Sequence, residues 1–500
     1  WMSGPYALMA ACNLFIQTLS NVDGKRHLDG LPIRDLPGGQ IAATVLPRSI
    51  WDLLLFSGVK AEVWMQPGVS RENLADNTAS AYDIPLGARD GKVALVLGAG
   101  NIAAIAPLDC FHKLFMEHQV VILKMNPVND YLIEFLRPAL RGLIDFGALR
   151  IVTGGADVGD HLCRHPGVDE IHITGAEASH DAIVWGGGDE GAKNKAAGTP
   201  KNTRRVTAEL GAVCPTIVVP GPWSDADLSF QAEHIATQKL HNSGHNCVAC
   251  QMLIVPETWD KTDTLLARVR GVIYHAPPRP PYYPGAGERM RAFAARGATG
   301  DGGDGARCVV VALDRGGDGW LENNEVFAPA LGTLRLAGDD GESYLRAAID
   351  YANANLHGTL GANILIHPKT IRAMGERRFD ELIGELHYGC IAINAWTGLG
   401  FLMIQTPWGA FPGHTPGDVQ SGIGVVHNSY MFDAPERTVV SAPFRPFPRN
   451  LLSGGASLLP RPPWFVTNRK AGKIGELLTK FEHKPGLLKI PRIFLNALLG

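Results

Sequence analysis

The chain has 500 residues, too many for a single hydrophobic core, so two or more domains are expected. Apolar residues make up 45% and charged residues 19%, which is typical of a globular protein in water. The net charge of −3 gives no overall attraction for nucleic acid, which is therefore not expected as a partner.

Cysteine usage and the N-terminus bear on the cellular compartment. The eight cysteines are scattered, which favours a reducing compartment over a disulfide framework. No basic segment precedes an apolar core at the N-terminus, and no apolar run is long enough to span a membrane. A cytoplasmic protein is expected.

Apolar runs and periodic segments alternate along the chain after a poorly patterned first stretch of about 90 residues. Strands are predicted at 93–97, 120–123, 150–152, 168–173, 252–255 and 437–442, and helices at 102–117, 130–146, 156–165 and 227–240. Alternation of this kind predicts an α/β protein with a mostly parallel sheet and right-handed crossovers. Loops are predicted at 185–200, 277–284 and 297–305, which are rich in Gly, Pro, Lys or Asp.

Cys247 follows a predicted helix and precedes a predicted strand, where a side chain can meet a substrate. A thiolate is a strong nucleophile near neutral pH, and Gly244 lets the backbone bend near the sulfur. A lone cysteine is more often a buried structural residue, so the motifs around Cys247 must decide whether it is a nucleophile. Cys247 and Cys250 also form a Cys-x-x-Cys, but no second pair at zinc-finger spacing follows, so no metal is predicted.

Three short motifs occur in a fixed order along the chain: Thr-Ala-Glu-Leu-Gly at 207–211, Gly-His-Asn-Cys at 244–247 and Glu-Val-Phe-Ala-Pro at 325–329. This order resembles the aldehyde dehydrogenase superfamily, with its Glu-Leu-Gly-Gly, Gly-Gln-x-Cys and Glu-x-Phe-Gly-Pro motifs. Further similar segments lie at 165–175, 352–366, 388–394, 407–410 and 421–424, so the resemblance covers about residues 90–443.

The resemblance implies a Rossmann-like cofactor domain, an α/β catalytic domain and a small oligomerisation element. The corresponding ranges are 1–210, 211–425 and 426–443, followed by a basic, proline-containing extension at 444–500. A homo-oligomer, dimer or tetramer, is expected by the same resemblance.

The resemblance also implies NAD(P)-dependent oxidation of an aldehyde to an acid through a thioester. Cys247 corresponds to the family nucleophile, and Glu209 to the general base that activates the hydrolytic water. Asn101 corresponds to the amide that holds the oxyanion together with the Cys247 backbone N–H, a donor typically worth about 3 kcal/mol of barrier.

The expected cofactor is NAD or NADP. Lys124 matches the family lysine that binds the adenosine ribose, while Pro127 replaces the Glu that grips the 2′-hydroxyl. Loss of that carboxylate removes a repulsion against a 2′-phosphate. The remaining predicted cofactor residues lie at strand ends or in the third motif: Gly155, Gly175, Ala176, Glu325 and Phe327.

Departures from the family pattern keep two alternatives open. The Gly-Ala-Gly-Asn turn at 98–101 replaces Pro-Trp-Asn, which leaves room for a CoA-acylating aldehyde dehydrogenase or acyl-CoA reductase. His245, Ala176 and Ala328 replace a Gln, a Ser and a Gly, which would suit a non-catalytic, membrane-associated or assembly homologue. His245 either tunes the thiol or caps its loop.

Two apolar segments bear on the substrate and on partners. Residues 395–406 correspond to a substrate-facing loop, and its apolar side chains favour an apolar aldehyde: Trp396, Leu399, Phe401, Leu402 and Met403. Residues 464–500 mix basic and apolar residues, which suits either peripheral membrane contact or packing on this or a neighbouring subunit.

Overall fold

The computed structural model describes residues 1–297, 308–313, 317–445 and 461–500. In these residues the strands are β1 (Ile33–Asp35), β2 (Ile41–Leu46), β3 (Lys60–Met65), β4 (Val93–Leu97), β5 (Val120–Lys124), β6 (Leu149–Val152), β7 (Glu170–Gly175), β8 (Arg205–Leu210), β9 (Cys214–Val218), β10 (Cys250–Pro256), β11 (Val309–Ala312), β12 (Ala330–Leu336), β13 (Gly361–Leu365), β14 (Cys390–Ile393), β15 (Pro407–Gly409), β16 (Gly422–Ile423), β17 (Val425–His427) and β18 (Pro435–Ser441).

The α-helices of the same residues are α1 (Ala7–Leu19), α2 (Ile50–Leu55), α3 (Ile105–Phe111), α4 (Ile133–Ala139), α5 (Arg141–Asp145), α6 (Ala156–Arg164), α7 (Glu177–Val184), α8 (Gly188–Ala197), α9 (Asp225–Leu240), α10 (Thr262–His275), α11 (Ala286–Ala294), α12 (Trp320–Asn323), α13 (Gly341–Asn355), α14 (Pro368–Met374), α15 (Glu376–Glu385), α16 (Thr397–Leu402), α17 (Ala471–His483) and α18 (Ile490–Leu498).

The smaller sheet has the strand order β16-β8-β7-β4-β5-β6. Strands β8, β7, β4, β5 and β6 run parallel, and only β16 is antiparallel to its neighbour. The predicted α/β alternation is confirmed here. The carboxyl ends of parallel strands share one edge, so the segments after β4, β5, β7 and β8 open onto a common crevice.

The larger sheet has the strand order β1-β2-β3-β18-β14-β13-β9-β10-β12-β11. Strands from β18 to β11 run parallel, whereas β1, β2 and β3 form an antiparallel extension that pairs with β18. The passage from β8 to β9 coincides with the predicted domain boundary near residue 210. Residues 33–65 pair with the larger sheet, although they fall in the range assigned to the cofactor domain. Strand β18, at the place of the family's oligomerisation strand, is paired on both sides within this chain.

Two local predictions were wrong. The loop expected at 185–200 contains α8, whose acidic Asp189 and Glu190 lie in the first turn and Lys195 in the last, and which ends at Gly198 in the left-handed conformation. The single helix expected at 130–146 is divided into a 3-10 turn, α4 and α5. Pro138 lies at the end of α4, where its ring opposes helix continuation.

Other predicted elements agree with the structure within a few residues. The strand at 93–97 and the helix before Cys247 are present as β4 and α9. The segment 277–284 has neither helix nor strand, as predicted. Most of the loop predicted at 297–305 lies outside the described residues, as do the prolines of the extension from 446 to 460.

The C-terminal helices α17 and α18 pack on the chain's own N-terminal part. Leu477, Phe481 and Ile493 form a buried cluster against Trp51 and Leu55 of α2. Helix α17 also contacts the first turn of the chain and α1. Among the described residues no helix is long and apolar enough to cross a bilayer.

Candidate active site

Asn101, Glu209, Cys247, Glu325 and Phe327 line one cavity of about 230 Å³ between the two sheets. Asn101 follows β4, and Glu209 lies in β8, so the edge of the smaller sheet supplies both side chains. Cys247 arrives from the other side, on the turn between α9 and β10. The three predicted catalytic residues are therefore brought together from separate elements.

The turn that carries Cys247 depends on its glycine. Helix α9 starts at a reciprocal cap between Ser224 and Asp227 and ends at residue 240, just before the turn. Gly244 has φ +75°, and a Cβ there would lie 2.6 Å from the carbonyl carbon of Ala328. Only glycine fits this close approach. The turn therefore packs directly against the third motif, residues 325–329.

Cys247 and Glu209 line the same cavity, and Glu209 Oε1 is buried without a hydrogen-bond partner among the described residues. Burial, followed by the nearby Asp109, raises the pKa of Glu209 to about 8. Burial and the Glu209 charge also hold the pKa of Cys247 well above its usual value. Burial therefore favours the neutral thiol and the protonated carboxyl group, and the carboxylate form of Glu209 is a stronger base than an ordinary glutamate.

Glu325 is the second buried carboxyl group of the cavity. Burial raises its pKa to about 8, while the nearby Lys239 and Arg289 charges oppose the rise. Its Oε1 is buried without a hydrogen-bond partner among the described residues. A Cβ on Gly211 would lie 2.0 Å from its Oε2, so the glycine of the first motif makes room for this carboxyl group.

Asn101 lines the central cavity and also a second cavity that Cys247 shares. Its Nδ2 donates to the backbone carbonyl of His245 at 3.0 Å. Its own carbonyl accepts from Asn242 Nδ2 and from the Tyr282 hydroxyl, each at 3.1 Å. These bonds fix the amide beside the sulfur, which suits an oxyanion donor.

His245 occupies the place of the family Gln and serves as a structural link. Its Nδ1 donates to the carbonyl of Phe327 at 2.9 Å, and its ring packs against Tyr282, Tyr283 and Phe327. Burial lowers the pKa of His245 to about 4, so the ring is neutral at ordinary pH. The geometry supports the role of capping the loop over tuning of the thiol by charge.

A larger cavity of about 970 Å³ opens at the carboxyl edge of the smaller sheet. Three of the predicted cofactor residues, Lys124, Gly175 and Ala176, line it, while Ala156 lines it in place of its neighbour Gly155. Gly175 and Ala176 also line the central cavity, so the two spaces adjoin.

A third cavity of about 760 Å³ lies on the far side of Cys247. Of the residues that the structure describes, only Asn101, Ile105 and Cys247 line both this cavity and the central one. Trp396, Leu399, Phe401 and Leu402 of the predicted substrate loop line it, whereas Met403 is buried in the core instead.

Several site residues escaped the sequence analysis. Tyr282 and Tyr283 come from the Pro-rich loop, and the latter lines the central and the cofactor cavities. Arg289 of α11 donates to the carbonyls of Val326 and Phe327, which fixes the third motif. Two adjacent tyrosines within a proline-rich loop were the available signal.

Cys250 is buried in β10, away from the cavities. In the part of the chain that the structure describes, no three His, Cys, Asp or Glu side chains are arranged to hold a metal ion.

Sequence comparison places the chain among known proteins. Residues 121–279 match the family model described as the aldehyde dehydrogenase family. Aldehyde dehydrogenase LUC3 of Fusarium sp. is 27% identical over 171 residues, which cover 33% of this chain and 34% of that protein. A D-glyceraldehyde dehydrogenase (NADP(+)) of Thermoplasma acidophilum is 31% identical over 123 residues, covering 24% of this chain and 21% of that protein. The matched segments thus span a third or less of these relatives.

Structural comparison extends over more of the chain. The crystal structure of an indole-3-acetaldehyde dehydrogenase complexed with NAD+ superposes with a TM-score of 0.54 at 17% identity, and covers 88% of this chain and 82% of that one. The predicted fold is confirmed. The chain therefore has the fold of aldehyde dehydrogenase structures, and residues 121–279 match the aldehyde dehydrogenase family model.

Proposed function

We propose that this protein oxidises an apolar aldehyde to a carboxylic acid with NAD or NADP, through a thioester on Cys247. The observation that carries the proposal is the chain of three adjoining cavities with the Cys247 thiol at the junction of two of them. An apolar pocket then lies on one side of the nucleophile, and a glycine-lined crevice lies on the other.

The buried polar groups fit a nicotinamide cofactor, which supplies a hydride acceptor when bound. Glu325 Oε1 has no partner in the described residues and is suited to accept from ribose hydroxyls. Lys124 is buried at the edge of the 970 Å³ cavity, and no carboxylate follows it at Pro127, so either NAD or NADP can be held. Phe327 would pack beside the nicotinamide ring.

The first chemical step uses the Cys247–Glu209 pair. Glu209 takes the thiol proton, and the sulfur attacks the aldehyde carbon to form a C–S bond. The Asn101 amide and the Cys247 backbone N–H stabilise the resulting oxyanion. A bound nicotinamide would accept the hydride as the carbon–oxygen double bond reforms, and the acyl group would remain on the sulfur of Cys247.

The second step releases the acid. Glu209, again deprotonated, takes a proton from water, and the hydroxyl attacks the thioester carbon. The C–S bond breaks, and the sulfur leaves as a thiolate that regains a proton. Because burial raises the pKa of Glu209 to about 8, its carboxylate is a stronger base in both steps than an ordinary glutamate.

The test is NAD(P)H formation from a panel of aldehydes, with and without CoA. The wild type is compared with Cys247→Ala, Glu209→Gln and the control Cys12→Ala, which removes an exposed cysteine far from the cavities. We expect CoA-independent activity in the wild type and control and its loss in the other two. Activity that requires CoA and survives Glu209→Gln would contradict the hydrolytic route, and inactivity of folded wild type would contradict catalysis itself.

We also propose peripheral contact of the C-terminal segment with an anionic membrane surface. Leu488 is 93% exposed and Leu487 70% exposed, and the cationic Lys484 and Arg492 lie close by in the sequence. Co-sedimentation with phosphatidylserine-containing vesicles tests this. We expect binding that weakens in Leu487→Ser/Leu488→Ser and with salt; equal binding by both proteins would contradict it.

A homo-oligomer remains our proposal for the assembly, on the family resemblance alone. Sedimentation velocity measures it, and a monomer at micromolar concentration would contradict it.

A further inference from the structure

The outer wall of the 760 Å³ cavity is built by the two ends of the described chain. Residues 1–5 and 463–466 line it together with Ala471, Gly472 and Gly475 of α17. The inner wall is formed by the Cys247 turn and by α16. A substrate bound at Cys247 would thus extend towards residues far outside the three sequence motifs.

The wall is attached to the helix that precedes the nucleophile. The backbone N–H of Val466 donates to Thr237 Oγ1 of α9 at 3.1 Å. The Phe465 ring stacks on His234 of the same helix, with 5.3 Å between ring centroids. Burial lowers the pKa of His234 to about 3, so this contact is between two uncharged rings.

The two terminal segments also hold each other. A Cβ on Gly475 would lie 2.9 Å from Trp1 Cβ, which shows how closely α17 approaches the first residues. Asn13 Nδ2 of α1 donates to Glu482 Oε1 of α17 at 2.8 Å. The wall is therefore a packed layer.

The lining is predominantly apolar. It includes four tryptophans from separate parts of the chain, along with Phe401 and Phe465; the tryptophans are Trp1, Trp396, Trp408 and Trp464. Of the described residues that line the cavity, only Arg279 carries a charged side chain, and it is exposed. Such a lining favours an uncharged, apolar ligand and provides little for a second carboxylate deep in the cavity.

We propose that residues 463–475, with residues 1–5, form a specificity-determining wall that accommodates the tail of a long-chain aliphatic aldehyde. The placement of the aldehyde group at Cys247 rests on the proposed function, whereas the binding of the tail does not. The aldehyde carbon lies at Cys247, and the tail lies against Trp464 and Gly472. The C-terminal extension is then part of the substrate site.

A graded series at Gly472 tests the wall. A Cβ at Gly472 meets no atom within 4 Å, so Gly472→Ala, Gly472→Leu and Gly472→Phe add bulk at the cavity without a backbone clash. The matched control is Gly486→Phe, also with no atom within 4 Å and at φ −175°, outside the cavity lining. We expect kcat/KM for decanal, relative to propanal, to fall progressively and by about tenfold in Gly472→Phe, because excluded methylenes lose their burial.

A binding measurement separates this inference from the chemistry. Decanamide, which has the tail but no aldehyde, is titrated by calorimetry into each folded variant. We expect about tenfold weaker binding in Gly472→Phe and wild-type affinity in Gly486→Phe. If this binding result were obtained with a protein that has no oxidising activity, it would support the proposed wall and contradict the proposed function.

Two results would contradict the proposed wall or its substrate class. Equal decanamide affinity and equal decanal-to-propanal ratios in the Gly472 series and the control would show that the segment does not contact the tail. A kcat/KM for succinic semialdehyde above that for decanal would contradict the substrate class, and would direct attention to Arg279 as a carboxylate ligand.

Discussion

The Cys247 thiol and the Glu209 carboxyl group line the same cavity, and burial raises the pKa of both groups. Burial thus favours the uncharged form of each group, so Glu209 can accept a proton only after it has lost its own. In the proposed mechanism the same carboxylate would activate both the thiol and the hydrolytic water.

The rate should depend on pH through Glu209. Because Glu209 acts as a base only when deprotonated and its pKa is about 8, kcat/KM should rise as the pH increases towards and past that value. In Glu209→Gln the rate should fall by about 10²–10⁴-fold and this rise should disappear. Steady-state rates across this pH range check it. The control Glu134→Gln, on the exposed side of α4, should keep the wild-type profile, and an unchanged profile in Glu209→Gln would refute the assignment.

The stability of the protein should fall as pH rises between about 4.5 and 8. Glu209 and Glu325 each have a folded pKa of about 8 and an ordinary value of 4.5, so the unfolded chain releases these protons first. Stability is therefore greatest below the ordinary value and is lost as pH increases through the interval. Urea unfolding of Glu209→Gln and Glu325→Gln should show a smaller decrease than the wild type. A decrease of equal size in all three proteins would exclude these groups as its source.

Removal of the Asn101 amide should slow the chemical step. We expect Asn101→Ala to lower kcat by about 10²-fold or more with little change in KM, since the lost donor acts on charge that develops after attack. Asn101→Asp, of the same size but without the N–H₂ group, should be at least as slow. Single-turnover NAD(P)H formation measures the step directly. A normal rate in Asn101→Ala would assign its bond to His245 a purely structural role.

The cofactor preference should respond to residue 127. Pro127→Glu restores a carboxylate beside the expected ribose, and should raise the ratio of kcat/KM for NAD+ over NADP+ by about tenfold through repulsion of the 2′-phosphate. Lys124→Met should raise KM for both cofactors. Cofactor kinetics on one aldehyde check both variants. A ratio that stays constant in Pro127→Glu would show that the residue lies away from the ribose.

Local signals made the centre of the site predictable. Gly244 before Cys247, and Glu325 with Phe327 in one short motif, are neighbours in sequence as well as in space. The carboxyl ends of parallel strands then bring Asn101 and Glu209 to the same edge. The chemistry therefore depends on short motifs and on one topological rule.

The surroundings of the site depend on long-range packing, which composition does not encode. Tyr282 bonds to Asn101, 181 residues away, and Val466 bonds to Thr237, 229 residues away. Helix α8 was missed because its glycines suggested a loop, whereas its acidic first turn and basic last turn stabilise a helix. Helix α4 ends early because Pro138 interrupts a pattern that looked continuous.

Because the terminal segments form a wall of the 760 Å³ cavity, the proposed reacting groups and the proposed contacts with the substrate tail lie in different parts of the sequence. The proposed reacting groups lie between residues 101 and 327, while the proposed contact with a substrate tail lies partly at 463–475. On these proposals, substitutions in the last segment would change the range of accepted aldehydes without altering the nucleophile, the base or the oxyanion donor. A duplicated copy could therefore acquire a new substrate range by variation at its end alone, with its reaction inherited intact.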